Sequence, residues 1–315
     1  MTTNSPSSGS ATGLGAAATR PHSGWIILGL ATVTFHLGLI FYGLTPALVS
    51  RPIHMALALP WILIHAARTP YEYWSGWLFT GLGVAACAYI AFNEEALSNQ
   101  YGFIDTHFQM LVGVFLIFLA LEAARRAIGW PLPMVAVTAL AYAFLGEHIP
   151  GQFGHPGLPT QSLVGTLTIA ENGLWGSLTG VSVSVVAIFV IFGAVLNAGE
   201  AGRGFMNIAS AFAGRLTGGA AKVSVISSAL MGSISGSASA NVASTGAITI
   251  PSMLRLGYPR ALAGGVEAVA SSGGQIMPPL MGAGAFVMVE LTGNPYTQVM
   301  AAAMLPAILY FAAVW

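Results

Sequence analysis

Apolar residues run in long uninterrupted blocks along this chain, separated by short polar turns. The first block, Trp25–Leu44, contains no charged residue. At about 1.5 Å per residue a helix over it crosses a hydrocarbon core of roughly 30 Å. Further blocks cover Ile53–Ala67, Trp77–Phe92, Phe108–Ala124, Leu132–Gly146 and Val181–Leu196, then Ala220–Ile234, Ala240–Leu254, Ala261–Leu291 and Val299–Trp315. Each predicts a helix, so the expected fold class is all-α, a polytopic membrane protein. The texture of the blocks changes near residue 127. The early ones use Leu, Ile, Phe and Trp as lipid-facing helices do, whereas the later ones are rich in Gly, Ala and Ser, which let helices approach closely. Four helices over 25–126 are therefore expected to precede a second region over 127–315. Residues 1–24, rich in Ser, Thr, Gly and Ala with Arg20 as the only charge, are too polar to pack and lack the charged start of a signal peptide, which predicts a disordered tail.

Composition strengthens the membrane reading. Charged residues make up 6% of the chain and apolar ones 55%, too little charge to cover a globular surface, so the lipid bilayer is the expected solvent. Ten Lys and Arg balance ten Asp and Glu, which gives no reason to expect nucleic acid as a partner. The single cysteine, Cys87, lies in an apolar block and excludes a disulfide framework or a thiolate metal site within one chain.

The basic residues set an expected orientation, because short cytoplasmic loops collect Lys and Arg. With the N-terminus in the cytoplasm, Arg68, Arg125 and Arg126 lie inside while Glu94, Glu95 and Asp105 lie outside; Arg51 is the exception. The stretch Glu147–Gly180 holds no Lys or Arg and is placed outside, which returns Val181–Leu196 inward to Arg203, Arg215 and Lys222. Lys222 then precedes, and Arg255 and Arg260 follow, a pair of short apolar blocks. Both ends of the pair fall on the cytoplasmic side, so residues 219–255 read as a re-entrant hairpin with arms too short to cross the hydrocarbon. Its tip is Gly232-Ser-Ile-Ser-Gly-Ser-Ala-Ser-Ala-Asn241. Irregular backbone at membrane depth is tolerated where it is buried in protein or lines a cavity, so the tip is expected to line a site.

Ser233, Ser235, Ser237, Ser239 and Asn241, followed by Ser244 and Thr245, supply neutral oxygens on a backbone kept open by Gly232, Gly236 and Gly246. Such groups suit a weakly held cation or a carboxylate. The competing reading is close packing, since Gly232 and Gly236 have small-xxx-small spacing and hydroxyls bond back to their own helix. As one helix, Ala261–Leu291 would be roughly 46 Å long, beyond the hydrocarbon thickness. Pro278-Pro279 interrupts it, which predicts a broken helix over about 261–292 with the carbonyls of Gly274 and Gln275 freed as cation ligands. An ordinary proline kink is the alternative. Glu267 lies ahead of the break and reads either as a proton relay or as an interfacial partner of Arg260. His36 and His65 stand in separate early blocks without a second ligand at helical spacing, which favours packing over metal. The only Asp is Asp105 and no His follows His155, so neither a Ser-His hydrolase nor an aspartyl protease is supported and the chain is not expected to be an enzyme. It shows no Gly-x-x-x-x-Gly-Lys loop for a nucleotide.

Three runs carry a resemblance to a known family: Leu121-Glu-Ala-Ala-Arg-Arg-Ala-Ile-Gly-Trp-Pro131, Ser233 through Pro251 with Gly257-Tyr-Pro259, and Gly265-Val-Glu-Ala-Val-Ala-Ser-Ser-Gly-Gly-Gln-Ile-Met-Pro-Pro279. They resemble the fused permease of tripartite ATP-independent periplasmic (TRAP) transporters, with a DctQ-like four-helix part ahead of a DctM-like part. The resemblance covers roughly residues 115–315. It implies an elevator-type secondary transporter of the bacterial inner membrane, in which a periplasmic solute-binding protein delivers the solute. It places a cation site at Ser235, Gly236, Ser237, Ser239 and Asn241 together with Gly274, Gln275 and Pro278, with Na+ or H+ as coupling ion and no cofactor. Fused permeases of this kind resemble partners of TAXI-class binding proteins, which implies a small carboxylate solute. The resemblance covers only the first of two hairpin repeats, so the chain is expected to be a fragment or a truncated product that does not complete transport alone. A non-transporting scaffold that docks partner proteins is the competing expectation.

Overall fold

The computed structural model describes residues 23–43 and 45–315. Of the tail expected over 1–24, residues 1–22 lie outside the described residues, and Ser23 and Gly24 already open a helix. The first helices are α1 (Ser23–Tyr42), α2 (Ala47–Pro60, continued by a π turn over Trp61–His65), α3 (Pro70–Phe92), α4 (His107–Ile128) and α5 (Pro131–Leu145). After them come α6 (Thr160–Thr168), α7 (Ser177–Val181, a π turn over Ser182–Val186, then Ala187–Ala198) and α8 (Ala201–Ala213). The chain ends in α9 (Gly219–Ser235), α10 (Ala238–Asn241, a π turn over Val242–Gly246, then Ala247–Arg255), α11 (Arg260–Ser272, with a 3-10 turn over Gly273–Gln275), α12 (Ala283–Thr292) and α13 (Tyr296–Val314). No strand occurs among the described residues. The stretches 23–42, 47–65, 70–92, 107–128, 177–196 and 296–314 are long and apolar enough to cross a membrane. Large side chains such as Phe41, Trp74, Phe118 and Leu291 stand exposed along the helices, the surface of a protein whose solvent is lipid. The chain is an all-α polytopic membrane protein.

Local sequence explains where the helices begin. Thr69 caps α3 by accepting from the Glu72 amide at 3.2 Å, with Pro70 in the first turn where its missing N–H costs nothing. At α4 the Thr106 hydroxyl accepts from the Gln109 amide while the Gln109 side chain accepts from the Thr106 amide, a reciprocal capping box. Leu59, Leu63 and Leu119 then pack α2 and α4 together with α3. Arg126, expected on the cytoplasmic side, folds onto the neighbouring helices: it donates to Leu63 O at 2.9 Å, Glu72 O at 2.7 Å and Ser75 Oγ at 2.9 Å, and pairs with Glu122 at 2.7 Å. It thereby satisfies a carbonyl left open at the end of α2.

Two helices were not anticipated. The stretch 147–180, placed outside by its lack of Lys and Arg, contains α6, which packs on α4 and carries Val164 and Thr168 into the core. Trp175 follows it, fully buried among Leu48, Leu116 and Ile169, and donates from Nε1 to Thr168 O at 2.6 Å. The polar stretch 201–213 forms α8, which buries Ala209 and Ala213 and packs on α9 while Arg203 and Phe212 stay exposed.

His36 is not isolated. It is 2% exposed, and its Nδ1 donates to Thr32 O at 2.7 Å. A carbonyl only accepts, so Nε2 of the neutral ring is an acceptor, and His54 Nδ1 donates to it at 2.7 Å. The Ser182 hydroxyl completes the chain to His54 Nε2 at 3.1 Å, joining α1, α2 and the π turn of α7. The spacing between His36 and His54 is not helical because they sit on different helices. His65 packs against Trp25 and Trp61.

Candidate cation site and buried carboxylate

Helices α9 and α10 fold back on each other and meet at Gly236-Ser237. Gly236 closes α9 in the left-handed conformation, φ 60°, and a side chain there would overlap Met281 O. Ser237 starts α10 by accepting from the Ala240 amide at 3.3 Å. One turn before the tip, Gly232 lies directly against Gly274 at the end of α11, and a Cβ on either residue would overlap the backbone of the other. Both positions are glycine because two backbones cross there.

Helix α11 stops at Gln275 and α12 begins at Ala283. The strap between them contains the cis bond Pro278–Pro279 and crosses the hairpin tip. Its Leu280 amide donates to Ser233 O at 3.1 Å, and Tyr296 of α13 donates to Pro279 O at 2.7 Å and Leu280 O at 2.9 Å. The expectation of freed carbonyls needs correction. Gln275 O accepts from the Gly282 amide at 2.7 Å, and Gly274 O lies 3.4 Å from the Met277 amide. The helix does break, but the strap doubles back and its own amides occupy these carbonyls.

Unsatisfied oxygens sit elsewhere at the crossing. Asn241 is fully buried; its Nδ2 donates to Ser228 O at 2.8 Å and reaches Ser271 O at 3.5 Å, while its Oδ1 is buried without a partner. Ser235 Oγ is likewise buried and unpartnered. Each such oxygen costs about 1–3 kcal/mol if nothing fills it. Ser237 and Ser239 bond to each other at 3.2 Å on the exposed side of the tip, and Ser233 and Ser244 bond back to Leu230 O and Ala240 O of their own helices. The packing alternative thus describes Ser233, Ser244 and the amide nitrogen of Asn241, and leaves Ser235 Oγ and Asn241 Oδ1 without partners.

Glu267 is 1% exposed, and among the described residues no ion pair joins it to Arg260. Its partners are hydroxyls from three helices: Ser224 of α9 at 2.7 Å, Ser271 of α11 at 3.1 Å, and Thr245 and Thr249 of α10. Ser224, Thr249 and Ser271 had no assigned role in the sequence reading. Their signal was present as i, i+4 spacing in Ser224/Ser228, Thr245/Thr249 and Glu267/Ser271, which places each pair on one helix face.

Residues 115–315 match the family described as "Tripartite ATP-independent periplasmic transporter, DctM component". The chain belongs to the DctM family. The C4-dicarboxylate TRAP transporter large permease protein DctM of Pseudomonas aeruginosa is 35% identical over 94 residues, 30% of this chain and 22% of that protein. The isethionate TRAP transporter permease protein DctMQ of Oleidesulfovibrio alaskensis is 28% identical over 151 residues, 47% of this chain and 24% of that protein. The 2,3-diketo-L-gulonate TRAP transporter large permease protein YiaN of Escherichia coli is 34% identical over 97 residues, 31% of this chain and 22% of that protein. These matches span about a quarter of the relatives' length. No solved structure matches. The relatives are permease components rather than enzymes, and with its spanning helices this DctM-family chain is a multi-pass inner-membrane protein. The matched region includes the hairpin, the broken helix, Glu267 and its hydroxyl partners.

Proposed function

We propose that this chain is part of the permease of a binding-protein-dependent secondary transporter that imports a small organic anion by cation symport. Its N-terminus is in the cytoplasm, and a periplasmic solute-binding protein, of the TAXI class in this reading, supplies the solute. The observation that carries the proposal is Asn241 Oδ1, buried without a partner on the residue that lies against the Gly232–Gly274 crossing, with Ser235 Oγ, also buried and unpartnered, beside Gly236 at the tip. Neutral oxygens desolvated in this way suit Na+, which needs no titrating ligand. Gly236 and Gly274 let the backbone approach, Gln275 and Pro278 shape the strap, and Ser237 and Ser239 lie at the exposed mouth. Hairpin and broken helix then move together against the remaining helices as an elevator. The relatives are named for C4-dicarboxylate, isethionate and 2,3-diketo-L-gulonate, which supports an organic anion as solute.

A second reading takes Glu267 as a proton relay, because a carboxylate sits buried beside the crossing; a third makes the chain a non-transporting scaffold. Proteoliposomes holding the intact permease, with its binding protein and a radiolabelled carboxylate, separate the three. Uptake driven by a Na+ gradient and dependent on the binding protein is expected. Uptake driven by a proton gradient alone selects the relay, and no uptake under either gradient selects the scaffold.

A further inference from the structure

Glu267 is the only ionisable carboxylate buried among the described side chains, and no basic side chain compensates it. Its oxygens are matched two by two, Oε1 by Thr245 and Ser271 and Oε2 by Ser224 and Thr249. Each carboxylate oxygen thus faces two hydroxyls, the donors that a carboxylate's acceptor sites take. A buried ion with hydroxyl partners alone still lacks a counter-charge, and burial of such an ion is costly unless it is paired. The proposed cation site has the complementary deficit: its oxygens are all neutral. The two deficits lie close together. Gly274 and Gln275 are seven and eight residues beyond Glu267 along α11 and its closing turn, roughly 10–12 Å at helical rise. Short routes also connect them: Thr245, whose hydroxyl bonds Glu267, lies one turn beyond Asn241 on α10, and Asn241 Nδ2 reaches Ser271 O on the residue whose hydroxyl also bonds Glu267.

We infer that Glu267 is the counter-charge of the cation site, a carboxylate that never touches the cation and raises its affinity through the field across the α10–α11 contact. The inference rests on the cation-site reading above and deepens it. It differs from a purely structural role, because glutamine presents nearly the same shape, its oxygen accepting from two hydroxyls and its amide donating to the other two once they turn, without supplying charge. It also differs from a relay, which must lose and regain a proton. At roughly 11 Å and an effective dielectric constant of about 20, the attraction corresponds to about tenfold in affinity.

The test measures Na+-dependent thermal stabilisation of the intact permease in lipid nanodiscs at several pH values, for wild type, Glu267→Gln and Glu267→Asp. The expected result is a Na+ affinity about tenfold weaker in Glu267→Gln, within threefold of wild type in Glu267→Asp, and equally pH-independent in all three. Wild-type response to Na+ with unchanged affinity in Glu267→Gln overturns the counter-charge while leaving the cation site standing. Absence of any Na+ response in wild type overturns both. Affinity that follows pH in wild type and loses that dependence in Glu267→Gln identifies a relay instead. If Glu267→Gln does not fold, Glu267→Asp still decides: a tenfold loss with the charge retained makes hydroxyl packing, not charge, the determinant and overturns the inference.

Discussion

The contact between Gly232 and Gly274 offers a sharp perturbation, because alanine at Gly232 meets backbone rather than a movable side chain. Its Cβ would overlap Gly274 Cα, with the carbonyl carbon of Gly274 and the Asn241 amide also within van der Waals reach. No rotamer change relieves a clash with a main chain, so α9 and α11 must separate. Overpacking of this kind costs about 1–3 kcal/mol. The same displacement pulls the hairpin tip and Asn241 away from the end of α11, so cation affinity should fall at least about tenfold, the equivalent of roughly 1.4 kcal/mol. Gly264, also on α11, provides the control: a Cβ there meets nothing within 4 Å. Gly264→Ala should stabilise by about 0.5–1 kcal/mol through helix propensity alone and leave cation affinity unchanged. The assay is thermal unfolding of the detergent-solubilised permease with and without Na+. A Gly232→Ala protein as stable and as responsive to Na+ as wild type would refute the backbone crossing as the core of the site.

Three further perturbations test the frame. Tyr296→Phe removes the donor to Pro279 O and Leu280 O and should cost about 1–2 kcal/mol, visible as faster amide exchange at Leu280, whose protection would otherwise match wild type. Arg126→Ala strands Leu63 O and weakens the hold on Glu122; a loss of about 3 kcal/mol in unfolding of the first four helices is expected, and a loss under 0.5 kcal/mol would show that the buried pairing contributes little. His54→Ala leaves His36 Nε2 without its donor and should destabilise by about 1–3 kcal/mol, whereas a neutral effect would mean that the His36–His54–Ser182 chain does not hold α1, α2 and α7 together.

The spanning helices were legible because lipid imposes long apolar blocks, and Trp25–Leu44 or Phe108–Ala124 has no other reading. The fold-back of α9 on α10 and the break after α11 were legible because the hairpin arms are too short for a span and the double proline interrupts a helix. Other features depend on partners distant in sequence. Thr160–Thr168 is too short and too polar to declare itself, and it folds because Val164 and Thr168 find the α4 core. The carbonyls of Gly274 and Gln275 were expected to be free because proline removes a donor, but the returning strap supplies amides from Met277 and Gly282. The neighbours of Glu267 were hidden because i, i+4 hydroxyls show which face of a helix is polar, not which face of another helix it meets. His36 gained His54 in the same way, across helices.

Cryo-electron microscopy maps of the intact permease in nanodiscs, collected in NaCl and in choline chloride, test the cation site most directly. The account predicts a density peak in NaCl within ligand distance of Asn241 Oδ1 that vanishes in choline chloride, with the Gly232–Gly274 contact retained in both. Identical maps, with Asn241 Oδ1 hydrogen-bonded to a protein donor in each, would contradict it.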